Sequence, residues 1–481
     1  MRRLAAAISM ASVLAGCGGD GGGSSSGTPV ATAPAPTPSP TASACSLQSR
    51  QQWADAELRE WYLFPDTLPA SLDASRYGDV QSYVDALTAT AREQNKDRYF
   101  TYVTSIAEEN AYFASGSSAG FGFRIAIDPA SARLFVTEAF EGTAALEAGI
   151  DRGTEIVAIG QPGSPLRTVS ALYASGGARA VSDALGGSRA GDTRVLDLRA
   201  PNGAGRQVTV TPRDYTLDAV SPRYGVTIIE DEGRRVGYVN LRTFISTAEQ
   251  PLRDGFARLR AAGITDFIVD FRYNGGGLVS TAQVLGDLLG GNRQRSEVFS
   301  YTTFRREKSS ENSTEYFTPQ PQSVSPTRIA FIGTGATASA SEKVINAMIP
   351  YLRANVALIG TDTYGKPVGQ IARDRAACDD RLRVVAFASQ NADRQGDYYN
   401  GLARFMPVTC QASDDLTYPL GDPREASVRQ ALGFLAGRSC TPIGGAAPSA
   451  SAARVRDVGV QRTLLTPERP ATFQRETPGA F

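Results

Sequence analysis

One stretch, Arg328 to Gln370, limits what this chain can fold into more than any other. Ile329 to Ile332 is a short β-branched and aromatic run closed by Gly333 and Gly335, the pattern of a buried strand. Small residues from Ala336 to Ser341 lead into Val344, Ile345, Met348 and Leu352, which recur at helical spacing. Val356 to Ile359 is a second buried strand, and Gly360 opens a loop that ends on Gly365 and Lys366. Strand, helix, strand predicts an α/β core. The corner between the first strand and the helix carries Ser339-Ala340-Ser341-Glu342, and a lone lysine follows one strand later. That order raises a serine–lysine hydrolase site as the candidate chemistry to be weighed.

Composition narrows the chemistry. The 481 residues contain no histidine, which removes Ser-His-Asp and Cys-His catalysis and every His-containing zinc site. A hydrolase here must take its base from lysine, a carboxylate, or a metal held by oxygen and sulfur. Lysine occurs only at Lys96, Lys308, Lys343 and Lys366. Glu93, Arg305, Ala340 and Thr363 stand three residues before them, so a Ser-x-x-Lys site is excluded. Arginine cannot give up its proton, and a lysine in an arginine-rich chain marks a place where titration is needed. Lys plus Arg and Asp plus Glu both number 49, so no basic excess points to nucleic acid.

Met1 to Cys17 has Arg2 and Arg3, an apolar run from Leu4 to Ala15, and Leu14-Ala15-Gly16-Cys17. It is a secretory signal too short for a mature membrane span. Leu-Ala-Gly-Cys resembles the bacterial lipoprotein signal, which implies lipidation of Cys17. Gly18 after the cysteine favours the outer membrane of the cell envelope, facing the periplasm. Residues 18–44 are Gly, Ser, Thr, Pro and Ala, a disordered tether. Residues 45–116 are helix-rich: Trp53, Leu58 and Trp61 mark one segment, and Val80, Tyr83, Val84, Leu87 and Ala91 a second. They are expected to form a small helical cap without chemistry. Gly120-Phe121-Gly122-Phe123 then opens a β-rich segment, followed by Ala148-Gly149-Ile150 and a strand from Glu155 to Ile159. Residues 117–213 resemble a PDZ domain. The resemblance places Gly120, Phe121, Gly122 and Phe123 at the loop whose N–H groups hold a peptide C-terminal carboxylate, the peptide pairing as an added strand.

From Tyr224 the pattern is α/β. Phe267 to Phe271 is a strand running into Arg272-Tyr273-Asn274-Gly275-Gly276-Gly277, with a helix from Thr281 to Leu289. The turn fits neither a Walker loop nor a dinucleotide fingerprint; its glycines are read as opening backbone N–H groups toward a reaction centre, with a plain strand-to-helix turn as the alternative. Besides Cys17 there are Cys45, Cys378, Cys410 and Cys440, an even set in an exported chain and so two disulfides. The expected pairs are Cys378–Cys410 within one segment and Cys45–Cys440 tying the two ends of the folded region. A four-Cys zinc site is the alternative, but no Cys-x-x-Cys pair supports it. Residues 441–481 are expected to be a poorly ordered tail. Its end, Pro478-Gly479-Ala480-Phe481, is small and apolar, the kind of C-terminus a PDZ groove holds, which raises self-inhibition or trimming.

The order of signal, helical cap, PDZ-like segment, Asp-x-Arg-x-Asn-x-Gly-Gly, Ser-Ala-Ser-Glu and Tyr-Gly-Lys resembles the carboxyl-terminal processing proteases, peptidase family S41. The resemblance implies an α/β core of the ClpP/crotonase-like kind over 214–440, with the PDZ-like domain inserted before it. It makes Ser339 the nucleophile, Lys366 the general base and Gln370 the residue that orients the lysine. It builds the oxyanion hole from the N–H of Gly276 or Gly277 and that of Ala340. It implies no cofactor and no metal. Its substrates would be proteins or peptides with exposed C-termini. Ser341 is the rival nucleophile, set aside on the family pattern alone. The chain departs from that pattern in three places. Ser339 and Lys366 stand 27 apart, two more than expected, Gly275 stands where Pro or Ser is common, and Pro367 replaces a glycine after the lysine. A silent peptide-binding PDZ scaffold and a small-ester or peptide hydrolase are the competing readings.

Overall fold

The computed structural model describes residues 44–186, 191–444 and 462–481. The expected signal, the expected lipidation at Cys17 and nearly all of the expected tether therefore lie outside the described residues, as does 445–461 of the tail. No helix among the described residues is long and apolar enough to cross a membrane.

The central sheet has six strands in the order Val226–Asp231, Arg234–Asn240, Asp266–Asp270, Arg328–Gly333, Val356–Gly360 and Val408–Gln411. The first pair is antiparallel and every later pairing is parallel. Its strands read as continuous apolar runs because both faces are covered. Phe267, Val269, Ile329, Phe331, Val356 and Leu358 face the helices Glu249–Ala261, Val279–Leu289 and Ala340–Leu352. Their alternating neighbours Ile268, Ala330, Ile332, Ala357 and Ile359 face the helix Ala426–Leu435. Ser339 and Lys366 both follow the C-terminal ends of parallel strands, where chain reversals leave backbone N–H groups unpaired.

A second, antiparallel sheet joins Tyr102–Ser105, Asp380–Gln390, Val298–Phe304 and Ser313–Tyr316, with Val368–Arg375 paired to Asp380–Gln390. The N-terminal helices Leu47–Trp61, Val80–Leu87 and Ala89–Glu93 share one core with it: Leu58, Val80, Val84, Leu87 and Ala91 pack with Val368, Leu382 and Val384. This N-terminal segment is therefore built onto the strand that follows Lys366. A third sheet of seven strands includes Phe123–Asp128, Arg133–Ala139, Glu155–Gly160, Arg194–Arg199 and Gly205–Val210, and encloses its own apolar cluster.

Two expectations are corrected. The disulfides are Cys45–Cys378 and Cys410–Cys440, with Cα separations of 5.5 and 5.4 Å, not Cys378–Cys410 and Cys45–Cys440. Cys378 lies in the turn between two strands of the antiparallel sheet, against which the Leu47–Trp61 helix packs, and this brings up Cys45. Cys410 lies on the edge of the parallel sheet, and the helix Ala426–Leu435 crosses that face and delivers Cys440. Proximity in sequence misled because Cys378 and Cys410 belong to different sheets. The reading of 441–481 as poorly ordered fails over 462–481. Thr463–Leu464 is a strand, Thr472–Glu476 a helix, and Leu465, Phe473, Ala480 and Phe481 are buried. The Ala- and Pro-rich composition ahead of it masked a terminal segment with enough apolar side chains to dock.

Candidate active site

The strand Asp266–Asp270 ends in a turn fixed from beneath by charge. The Arg272 guanidinium, wholly buried, meets Asp270 at 2.8 Å, Glu425 at 3.0 Å and Asp414 at 3.1 Å, and Tyr238 donates to Asp270 at 2.8 Å. A buried cation with that many carboxylate partners is held in one geometry. Above it, Asn274 Nδ2 donates to Leu241 O at 2.8 Å, and the Gly276 N–H donates to Asn274 Oδ1 at 2.9 Å. The Asn274 carbonyl in turn accepts from Ala338 N and from Ser341 Oγ, both at 3.1 Å. The glycine turn and the serine corner are one hydrogen-bonded unit.

This arrangement separates the two serines. Ser341 is fully buried and its hydroxyl is committed to Asn274. Ser339 is half-buried and sits at φ 55°, ψ −113°, a conformation costly for any residue with a Cβ. Such strain at a strand-to-helix corner thrusts the side chain outward, as a nucleophile requires. A Cβ built on Gly276 would stand 2.8 Å from Ser339 Cβ and 3.2 Å from Ala340 N, so only glycine leaves the space in front of the hydroxyl open. The Gly276 N–H is taken by Asn274. Among the described residues, the N–H groups of Gly277 and Ala340 have no hydrogen-bond acceptor.

Glu342 joins the serine corner to the lysine loop. Its carboxylate is wholly buried and accepts from Ser339 N at 3.0 Å, Lys366 N at 2.7 Å, Gly365 N at 2.7 Å and Thr363 Oγ1 at 2.6 Å. Burial pushes its carboxyl up to about 7, against the pull of these four donors. Glu342→Gln keeps the shape but turns an amide NH2 toward two N–H donors. The expected result is a loss of about 1–3 kcal/mol of stability by chemical denaturation and a fall in kcat of roughly tenfold or more.

Lys366 Nζ donates to Gln370 Oε1 at 2.9 Å and lies 5.0 Å from the centroid of the Phe100 ring. Gln370 Nε2 is itself fastened to the Phe100 carbonyl. Burial pushes the lysine below its ordinary value, opposed by the carboxylates of Glu476 and Asp97. No hydrogen bond joins Nζ to Ser339 Oγ among the described residues. The other lysines are accounted for: Lys343 pairs with Glu315 at 2.5 Å, Lys308 pairs with Glu60 at 2.7 Å, and Lys96 lies beside the Phe64 ring. The two extra residues between Ser339 and Lys366 are matched by a 3-10 turn, Arg353–Asn355, between helix and strand.

Gly120, Phe121, Gly122 and Phe123 form a buried loop leading into the edge strand Phe123–Asp128. Two of its donors are occupied: Gly122 N and Phe123 N point at the carbonyl oxygen of Phe481, at 2.8 and 3.4 Å.

Residues 235–395 match the description of peptidase family S41, a span that includes Ser339, Lys366 and Gln370. The chain is similar to the carboxyl-terminal-processing protease of a Picosynechococcus species, 27% identical over 253 residues, 52% of this chain and 55% of that one. Carboxyl-terminal-processing peptidase 3 of Arabidopsis thaliana chloroplasts is 31% identical over 175 residues, 34% of this chain and 31% of that one. The chain thus spans about half the length, or less, of these curated relatives. A crystal structure from Bacteroides fragilis assigned to the S41 proteases shares the fold with a TM-score of 0.62 at 22% identity, covering 80% of this chain and 97% of that one.

Three residues around this candidate site escaped the sequence. Glu342 was readable, since Ser339-x-x-Glu342 has the spacing of a helix capping box. Arg98 and Phe100 carried no local signal. Arg98 donates to the carbonyls of Tyr364 and Gly365 at 2.5 and 2.7 Å, so the N-terminal segment does contribute to holding the lysine loop.

Proposed function

We propose that the chain is an exported serine endopeptidase with a Ser339–Lys366 dyad, acting on proteins taken by their C-termini. The observation that carries this is a part-buried lysine, oriented by Gln370, on a loop tied through Glu342 to a strained, accessible serine. Neutral Lys366 takes the proton from Ser339 Oγ as the oxygen attacks the peptide carbonyl, a rotation away from Gln370 bringing Nζ to the hydroxyl. The oxyanion is received by the Ala340 N–H with that of Gly277, or of Gly276 once it releases Asn274. Collapse passes the proton from Lys366 to the leaving amine and leaves an ester on Ser339. Water, deprotonated by Lys366, then hydrolyses that ester.

The segment 117–213 acts as the PDZ-like reader, with Gly120 to Phe123 as carboxylate loop. A ClpP/crotonase-like core over 214–440 carries the chemistry, and 45–116 is the helical segment that braces the base. Export and a lipid anchor at Cys17 follow from the Leu-Ala-Gly-Cys motif, and paired cysteines suit an oxidising compartment such as the periplasm. The scaffold reading is not favoured, since it would leave the Ser339, Lys366 and Gln370 arrangement without a task. Cleavage of an unfolded protein with a free C-terminus should exceed that of the same protein amidated at its C-terminus by tenfold or more. Equal rates would remove the C-terminal reader from the proposal and favour a general hydrolase.

A further inference from the structure

The last twenty residues are laid over both halves of the proposed site. Thr463–Leu464 pairs antiparallel with Ala126 and Ile127 on the edge of the strand Phe123–Asp128. The chain then leaves that edge, and its final residues return to it. Ile125 N donates to Gly479 O at 2.9 Å, Phe481 N donates to Phe123 O at 3.0 Å, and Gly122 N donates to Phe481 O at 2.8 Å. Arg124 Nε adds a bond to Pro478 O at 3.0 Å. This is β-strand addition that sets Phe481 at the loop read as the carboxylate site. The Phe481 side chain is 2% exposed and joins the cluster of Phe121, Phe123 and Ile125.

Between these two attachments the chain loops out to the catalytic turn. Glu476 O accepts from Gly275 N at 3.1 Å, next to Gly276 and Gly277. A Cβ on Gly275 would lie 2.5 Å from Arg475 O, and one on Gly120 would lie 2.6 Å from the Phe481 carbonyl carbon. Thr472 and Thr477 bond to Thr104 and Tyr112 at 3.0 and 3.1 Å, and Arg475 stacks over the Tyr102 ring at 3.9 Å. The buried Glu476 carboxylate bears on the Lys366 ammonium. One segment thus occupies the terminal-carboxylate loop and the approach to the dyad together.

We propose that residues 462–481 are a tethered ligand of the peptidase's own site, closing it until a foreign C-terminus of similar chemistry, small residues ending in an apolar aromatic, displaces Phe481 from the groove. The proposal rests on the peptidase reading above. Tethering gives the tail an effective concentration on the order of millimolar, so a weak contact suffices to hold the site closed. A competitor needs either a higher affinity or a second hold on the enzyme, which a long unfolded substrate has and a short peptide lacks.

The test compares the intact chain with two variants, one lacking residues 478–481 and one extended by Gly-Asp-Asp-Asp after Phe481. The extension carries the chain past the loop that Phe481 occupies while keeping every buried tail residue in place, which guards against misfolding of the truncation. Binding is read by fluorescence anisotropy with labelled Thr-Pro-Gly-Ala-Phe as free acid and as amide, and turnover with an unfolded protein. Both variants are expected to bind the acid saturably and at least tenfold more tightly than the intact chain, to bind the amide weakly, and to cleave at least tenfold faster. Equal binding of the acid by all three chains would overturn the proposal and leave the peptidase reading standing. Tight binding by the variants without any cleavage would uphold groove occupancy by the tail and count against the peptidase reading instead. Inhibition that deepens as the intact chain is concentrated would place the tail in a neighbour's groove and overturn the tethered form.

Discussion

Ser339→Ala is expected to abolish cleavage of an unfolded protein, with a loss in kcat on the order of 10^4- to 10^6-fold. The fold should survive, because the corner is held by bonds that do not use the Ser339 hydroxyl: Ser339 N to Glu342, Ala338 N to Asn274 O, and Lys343 N to Ser339 O. Relief of the positive φ is not expected either, since alanine has a Cβ in the same place. Ser341→Ala is the control. It removes the Ser341 Oγ bond to Asn274 O, so it should cost about 1 kcal/mol of stability and leave turnover within a few-fold. The reverse pattern, with Ser341 essential and Ser339 dispensable, would reassign the nucleophile. Rates for both variants on one substrate, with denaturation curves to exclude misfolding, give the comparison.

Lys366→Arg should be nearly as damaging, by roughly 10^3-fold or more, although it keeps the positive charge. Arginine cannot take a proton, and its planar head does not fit the single contact to Gln370. On the proposed mechanism the active form is neutral lysine. Activity should therefore rise with pH, along a limb centred below the ordinary lysine value because burial pushes Lys366 down. The charged groups that face it are Glu476 and Asp97, which hold the ammonium form, and Arg475 and Arg383, which disfavour it. Glu476→Gln removes one of the opposing carboxylates, so the limb should move to lower pH. A limb in the range of an exposed lysine, or one unmoved by Lys366 substitution, would contradict the assignment of the base.

Much of this centre was legible because its signals are local. The apolar runs Ile329–Ile332 and Val356–Ile359 became paired parallel strands, and the intervening pattern became the helix Ala340–Leu352. Lys366 and Gln370 stand four apart at the start of a strand, and a bulge between Gly369 and Gln370 turns the amide toward the ammonium. That bulge had no signature. What stayed hidden depends on which sheets meet. The disulfide partners were set by helices crossing different sheets, and Arg98 and Phe100 reach the lysine loop from more than 260 residues away. The departure at Gly275 acquires a local cause: its N–H and its bare Cα face the tail backbone, where proline would remove the donor and any side chain would collide. The terminal segment illustrates the limit most plainly. Its small apolar end suggested a ligand for the groove, while the composition before it suggested disorder, and composition averaged over 441–481 concealed a docked segment.

The central claim is that Lys366 activates Ser339. The most direct measurement is covalent labelling of the intact and tail-extended chains with a serine-directed fluorophosphonate, followed by mass-spectrometric mapping of the adduct. The account predicts a single adduct on Ser339, forming faster in the extended chain and lost in Lys366→Arg. Labelling of Ser341, or labelling of Ser339 at an unchanged rate without the lysine, would contradict it.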